Sequence, residues 1–416
     1  MGEQGNTTRI AIMGGTFDPV HYGHLVTAEA VRQEFNVHEV RFIPTGSPPH
    51  KDQHRVSPPW HRYMMTALAT SSNPYFVTSA LEIDRGGKSY TIDTVRELRK
   101  ELGQQAQFYF ITGADAVLEI LTWKEPEALL SMCDFVAVTR PGYSKERLLE
   151  HAQKLGNEFG GKVHFLEVPA LAISSSDVRA RVFLEKSAKY LIPDSVLDYI
   201  HKHGLYALPK DSPERLRAES ITAYLHENLS PERFAHTLGV AEQAVRLAQI
   251  YNESLEHAHL SALLHDIAKE IPKANILSLA ADNGIDIDEI TAESPLLLHG
   301  HVGAVLAFHK FGVDDEAVLD AVRNHTIGSP DMTALAKILF LADTLDTGRD
   351  IETAQTPDHT RRKTIKDLAY AQRNIDAAVH ETLLLKREYT LRKGGKPHPL
   401  AEKATEFYAP QKGCRI

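Results

Sequence analysis

Met13-Gly14-Gly15-Thr16-Phe17-Asp18-Pro19-Val20-His21-Tyr22-Gly23-His24 is the stretch on which the reading of this chain turns. A short apolar run, Ile10 to Met13, leads into it, and a helical pattern from Leu25 to Phe35 follows. A strand therefore empties through two glycines into a loop that opens a helix. Glycines let backbone N–H groups approach an anion closely, and a helix start carries partial positive charge. His21 and His24 sit three apart at that start, so both rings can face one point. Imidazoles aimed at a phosphate stabilise charge that develops as a phosphoanhydride breaks. A plain turn accounts for the Gly-Gly pair but not for the paired histidines. No G-x-G-x-x-G occurs at this junction, which sets the dinucleotide fingerprint aside.

The rest of the first half repeats the same theme. β-type runs at Arg9–Met13, Val40–Ile43, Tyr75–Ser79, Gln107–Ile111, Phe135–Thr139 and Lys162–Glu167 alternate with helical patterns such as Thr91–Leu102 and Asp177–Leu184. Alternation of this kind predicts right-handed βαβ units in a Rossmann-like parallel sheet covered on both faces. Ligands should then gather beyond the carboxyl ends of the strands. A further helix from about Asp194 to His203 ends at Gly204, and Leu205 to Pro213 reads as the best linker. After Pro213 the β-type runs nearly vanish and amphipathic helices follow one another, so the second half reads as all-α. The expected division is an α/β domain over residues 1–208, a linker at 209–214, a helical bundle over 215–405 and a tail at 406–416.

At 416 residues the chain can bury two separate cores. Its formal charge of −9 is uneven: residues 1–210 hold 23 basic and 24 acidic side chains, the remainder 23 and 31. The acidic second half argues against nucleic acid as a partner and suits a site built from carboxylates and metal. Only Cys133 and Cys414 are present, too few for a disulfide framework, which fits a reducing cytoplasm. Neither a signal peptide nor an apolar run near membrane-spanning length is visible, so no membrane partner is expected. Nothing in the sequence sets the oligomeric state.

Ile173-Ser174-Ser175-Ser176-Asp177-Val178-Arg179 is the second strong signal. Ser174 or Ser175 can cap a helix, and Arg179 lies one turn in, where phosphate would sit. A simple N-cap also explains the serines. Following a sixth strand, the segment resembles the second motif of the nucleotidyltransferase superfamily, Ile-Ser-Ser-Thr-x-x-Arg, with Ser176 in place of threonine. His21-Tyr22-Gly23-His24 resembles the same superfamily's His-x-Gly-His signature. Four further segments stand between them: Pro48-Pro49-His50-Lys51, Ser89-Tyr90-Thr91-Ile92-Asp93-Thr94, Gly113-Ala114-Asp115 and Trp123-Lys124. In this order, with Arg140-Pro141-Gly142 and Tyr190-Leu191-Ile192-Pro193, they resemble nicotinate-mononucleotide adenylyltransferase over residues 9 to about 207.

That resemblance implies ATP on the Gly14-Gly15-Thr16-Phe17 loop, with His21, His24 and Arg179 on its phosphates as the catalytic set. Gly113, Asp115, Ser174 and Ser175 would line the nucleotide site. Nicotinate would stack on Trp123 with its carboxylate near Thr91, and Lys51 would meet phosphate. The implied reaction is attack of the mononucleotide phosphate on the α-phosphorus of ATP, giving deamido-NAD and pyrophosphate. A phosphate nucleophile needs no general base, so positioning and charge neutralisation should supply the catalysis. Magnesium would arrive with ATP rather than on a dedicated carboxylate cage.

In the second half, His265-Asp266 is embedded in Leu263-Leu264-His265-Asp266-Ile267-Ala268-Lys269. A polar pair inside an apolar helical run is costly unless satisfied. One buried histidine is usually just a hydrogen-bonded core residue. Here, however, His236, His299, His325 and Asp343 also stand beside or within apolar helical sequence. Four imidazoles and two carboxylates are a suitable set for two transition-metal ions, with one carboxylate able to bridge. His299 and His301 point to opposite sides of a helix, and His299 is the expected ligand. The histidines at 226, 257, 259, 301, 309, 359, 380 and 398 read as surface residues.

The order His, His-Asp, His, His, Asp resembles the six-ligand, dinuclear form of the HD phosphohydrolase superfamily. The strings around His236, His265 and His325 resemble bacterial symmetrical diadenosine tetraphosphate hydrolases over about residues 215 to 400. The match implies one metal on His236, His265, Asp266 and Asp343, and another on His299, His325 and bridging Asp266. It implies hydrolysis of diadenosine tetraphosphate to two ADP, with Lys269 and Arg349 as phosphate contacts. Family members are associated with iron; the sequence itself does not separate iron from manganese or cobalt. Another HD substrate ((p)ppGpp, a dNTP or a cyclic dinucleotide) and a non-catalytic nucleotide sensor remain open alternatives.

Overall fold

A computed structural model of the chain describes residues 8–47, 56–139, 146–169, 171–346 and 357–410. Lys51 and Arg349 lie outside the described residues, as do Pro48 to His50, Arg140-Pro141-Gly142 and Cys414. The chain divides into two compact units, Met1–Ala207 and Leu208–Ile416. Among the described residues no helix is long and apolar enough to cross a membrane.

The first unit is built on six parallel strands: β1 (Arg9–Gly15), β2 (Glu39–Pro44), β3 (Phe76–Thr78), β4 (Gln107–Gly113), β5 (Asp134–Thr139) and β6 (Val163–Glu167). Their order is β3-β2-β1-β4-β5-β6, the doubly wound arrangement expected from the alternation. β1 pairs with β2 on one side and with β4 on the other, so the strand order reverses between β1 and β4. A crevice opens at such a reversal, beyond the carboxyl ends of the two strands. Gly14-Gly15 of β1 and Gly113 of β4 occupy those ends. Two apolar layers hold the sheet. One includes Val31, Phe42, Val178 and Val196, and the other Ile12, Ile92, Leu98 and Phe135.

Beneath the crevice lies Arg62, only 1% exposed. Its guanidinium donates to the carbonyls of Ser57 (2.9 Å), Thr16 (2.8 Å) and Gly46 (3.1 Å). Three segments distant in sequence are thereby fixed to one cation. Arg62→Ala leaves three buried carbonyls unpaired and should cost about 3 kcal/mol or more. Urea unfolding followed by tryptophan fluorescence checks this, because both tryptophans, Trp60 and Trp123, lie in the first unit. A midpoint equal to wild type would contradict it.

Among its described residues the second unit is helical throughout, as expected from the loss of β-type runs. The helix Ala334–Leu345 is apolar on nearly every side and runs through the middle of the core. Helices Pro231–Tyr251, Leu255–Leu264 and Glu316–Asn324 pack with it around Ala244, Leu263, Val322 and Phe340.

Candidate active sites in the two units

In the first unit a cavity of about 1000 Å³ opens at the β1–β4 crevice. Gly14, Gly15, Thr16, His21, His24, Thr91, Gly113 and Trp123 all line it. The helix Tyr22–Glu34 starts at its floor with His21 as N-cap. Here the i, i+3 spacing does more than aim two rings at one place: the rings stack, centroids 3.7 Å apart. The backbone N–H of His21 donates to Nδ1 of His24 (3.2 Å), which leaves the proton of a neutral His24 on Nε2. Phe17 stands edge-on to His24 at 5.1 Å and supports it from below.

Burial pulls the pKa of His21 down to about 4. Burial, with His21 as neighbour, pulls His24 down to about 3. Both imidazoles are therefore neutral at pH 7, each with one ring N–H to donate and no fixed positive charge. The same shifts carry a stability signature. In the unfolded chain both groups protonate near 6.5, so as pH falls below that value the unfolded state takes up protons that the folded state refuses. Folding stability of the first unit is expected to decline from pH 6.5 towards 4 and to hold above 6.5. Urea midpoints across that range should slope less in a His21→Asn, His24→Asn double variant.

Phe17, Asp115, Ser174, Ser175 and Arg179 do not line the cavity. Ser174 caps the helix Ser175–Phe183 by accepting from the Asp177 N–H (3.1 Å). Ser175 Oγ donates to the Pro19 carbonyl (2.8 Å), and Arg179 donates to the Asp18 carbonyl (2.6 Å). The second motif thus braces the turn between the strand and the paired histidines. Asp115 is exposed on the short helix Ala114–Leu118 that follows β4.

The second unit brings five separate segments to one point. His236 comes from the helix Pro231–Tyr251, and His265-Asp266 from the end of Leu255–Leu264. His299 opens the helix His299–Phe311, His325 ends Glu316–Asn324, and Asp343 belongs to Ala334–Leu345. Two groups of metal-binding size form, His236 with His265 and Asp266, and Asp266 with His299 and His325. Asp266 belongs to both. Asp343 joins the first through His236 Nε2, 3.2 Å from its carboxylate. Gly300 permits this convergence, since a Cβ there would stand 2.7 Å from the Val322 carbonyl and 3.3 Å from the His325 ring.

The ring orientations follow one rule. Nδ1 of His265, His299 and His325 donates to the carbonyl three residues back, those of Ala262, Leu296 and Val322. His236 donates its Nδ1 proton to Asp346 (2.7 Å). All four histidines therefore engage Nδ1 with an outer acceptor and turn Nε2 to the centre, the atom a metal would take. Burial lowers the pKa of His325 to about 3 and also lowers that of His299, which keeps both neutral. Burial pushes the Asp266 carboxyl up, but His265, His299 and His325 outweigh it and hold the group well below the carboxylate range. Nε2 of His236 lies 3.2 Å from the Asp343 carboxylate, and Nε2 of His265 lies 3.5 Å from that of Asp266. Ring nitrogens gathered around a shared carboxylate are a donor set suited to a metal pair.

Residues 12–181 match the cytidylyltransferase-like family and residues 233–348 the HD domain family. A probable nicotinate-nucleotide adenylyltransferase of Moorella thermoacetica is 58% identical over 198 residues, covering 48% of this chain and 91% of that protein. Its counterpart in Thermoanaerobacter sp. is 56% identical over 198 residues, covering 48% of this chain and 94% of that protein. The chain belongs to the nicotinate-nucleotide adenylyltransferase family. A solved Clostridium acetobutylicum structure, described as a predicted HD superfamily hydrolase involved in NAD metabolism, is 33% identical with a TM-score of 0.42. It covers 46% of this chain, which covers 95% of it.

In this adenylyltransferase the HD-matched residues all lie in the second unit. Sequence reasoning missed several residues that hold the two sites. Asp18 accepts from the Tyr206 hydroxyl (2.6 Å), tying the end of the first unit to the turn before His21. Asp18-Pro19 stood within the decisive stretch, but nothing local pointed to Tyr206. Around the second centre, Arg233 donates to Asp266 (2.7 Å), and Lys386 lies 3.5 Å from Asp343. Lys269, which the sequence reading did name, is 3.2 Å from His299 Nε2 and 3.7 Å from Asp266. Several histidines read as surface residues are instead half-buried, because they pack between helices. His398 bonds Asp288 (2.7 Å), and His301 has a buried Nδ1 and a pKa lowered by burial.

Proposed function

We propose that this is a bifunctional enzyme: the first unit adenylylates nicotinate mononucleotide, and the second hydrolyses diadenosine tetraphosphate to two ADP. For the first unit, the observation that carries the reading is the stacked His21–His24 pair at the mouth of the glycine-lined crevice. The Gly14-Gly15-Thr16 backbone and the helix start cradle the triphosphate, and the imidazole N–H groups meet charge developing on the leaving pyrophosphate. Trp123 presents its ring to the nicotinate and Thr91 its hydroxyl to the carboxylate. Arg179, with Ser175, acts chiefly by fixing the Asp18–His21 turn, Ser174 caps the helix that carries them, and the role of Arg179 as a direct phosphate ligand is secondary. Magnesium enters as the chelate of ATP.

For the second unit, the carrying observation is that Asp266 is shared by two metal-sized groups. Two divalent cations held by His236, His265, Asp266 and Asp343, and by His299, His325 and Asp266, would supply Lewis acidity toward phosphoryl oxygens. Iron is the proposed metal. Arg233, Lys269 and Lys386, each partly exposed beside those ligands, suit a polyphosphate chain. Two assays test the halves separately. Full-length protein should make deamido-NAD and pyrophosphate from ATP and nicotinate mononucleotide with magnesium alone. After chelation and desalting it should cleave diadenosine tetraphosphate only when iron, manganese or cobalt is restored. Preference for (p)ppGpp, a dNTP or a cyclic dinucleotide in the same assay would replace the proposed substrate.

A further inference from the structure

Three of the four central histidines are steadied by a backbone carbonyl, and one is not. His236 Nδ1 donates to the carboxylate of Asp346 at 2.7 Å, with Asp346 only 4% exposed. A carboxylate behind an imidazole strengthens the opposite nitrogen as a metal donor and fixes the ring, where a neutral carbonyl does so less. The charges around the two groups are unequal as well. On the His236 side stand two further carboxylates, Asp343 and Asp346, with Lys386 against Asp343 and Arg233 against the Asp266 oxygen nearer His236. On the His299 side, Lys269 lies against His299 Nε2, and the ligand set adds no carboxylate beyond the shared Asp266. A second cation therefore meets more positive charge there than on the His236 side.

Local packing makes room for the Asp346 contact. Gly239 stands one helical turn after His236, and a Cβ on it would lie 2.0 Å from Asp346 Oδ1. Any other residue at 239 must displace the carboxylate.

We infer that Asp346 is a positioning residue that makes the two metal positions unequal. The tight position is on His236, His265, Asp266 and Asp343, and the weak one on His299, His325 and Asp266. This rests on the metal-pair reading above. Cobalt(II) binding to metal-stripped full-length protein, by equilibrium dialysis with metal analysis, tests it. Wild type should show two classes of site. Asp346→Asn should weaken the tighter class by roughly 10–100-fold and leave the weaker one unchanged. Gly239→Ala, which keeps the Asp346 charge but moves it, should do the same, with helix content by circular dichroism matching wild type. Two equivalent sites in wild type, an Asp346→Asn isotherm superimposing on wild type, or equal weakening of both classes would each overturn the inference. Wild type that binds no cobalt would instead remove the metal-pair reading itself.

Discussion

Asp266→Ala should abolish the proposed hydrolysis and spare adenylyl transfer. Asp266 is the carboxylate common to both metal-sized groups, so under the proposed function its removal would take a ligand from each cation at once. Loss of hydrolysis by at least about 10³-fold, equivalent to about 4 kcal/mol of transition-state stabilisation, is expected. Bound metal should fall well below that of wild type. The change also leaves Arg233 without its carboxylate partner, so helix content must be measured alongside. His265→Ala is the companion variant, since it removes one ligand and leaves the Arg233–Asp266 pair in place. Adenylyl transfer resides in the other compact unit and should stay within about twofold of wild type in both. Retention of hydrolysis in Asp266→Ala protein would show that the centre is structural.

His24→Ala should have the opposite selectivity. His21 N–H fixes the His24 tautomer, and stacking on His21 fixes its plane, so the Nε2 donor is preorganised before substrate binds. Removing one such donor from a partly dehydrated site costs on the order of 10²–10³-fold in kcat, about 3–4 kcal/mol. Its effect should fall on kcat more than on KM for ATP, because the charge it meets grows only as the anhydride bond breaks. Pyrophosphate release measures this directly. Diadenosine tetraphosphate hydrolysis by the same protein should be unchanged. A kcat equal to wild type would leave His24 with only the capping role at the helix start.

Much of this architecture was legible in the chain because its signals are local. The Met13–His24 stretch places strand, glycines and paired histidines within twelve positions, so their juxtaposition needs nothing from elsewhere. The six β-type runs became six strands, although β3 shortened to Phe76–Thr78. The histidines and aspartates that converge in the second unit were legible for a different reason: ionisable residues inside apolar helical runs are expensive and call for a partner. The partners themselves were not legible. Asp346 reads as one more acidic residue at a helix end, and Arg62 as an ordinary helical arginine.

Local periodicity and unaffordable polar residues, then, were enough to give two units, a glycine-lined turn at the crevice and a set of histidines and aspartates that gather at one point. Only the tertiary structure decided which ring nitrogen each histidine presents, that Asp266 is shared, and that Arg179 and Ser175 brace a turn instead of lining the cavity. Those outcomes depend on contacts between residues far apart in sequence, 110 positions for His236 and Asp346 and 161 for Arg179 and Asp18. Chain closure over such distances is set by how whole helices and strands pack, and no short pattern of residues encodes it.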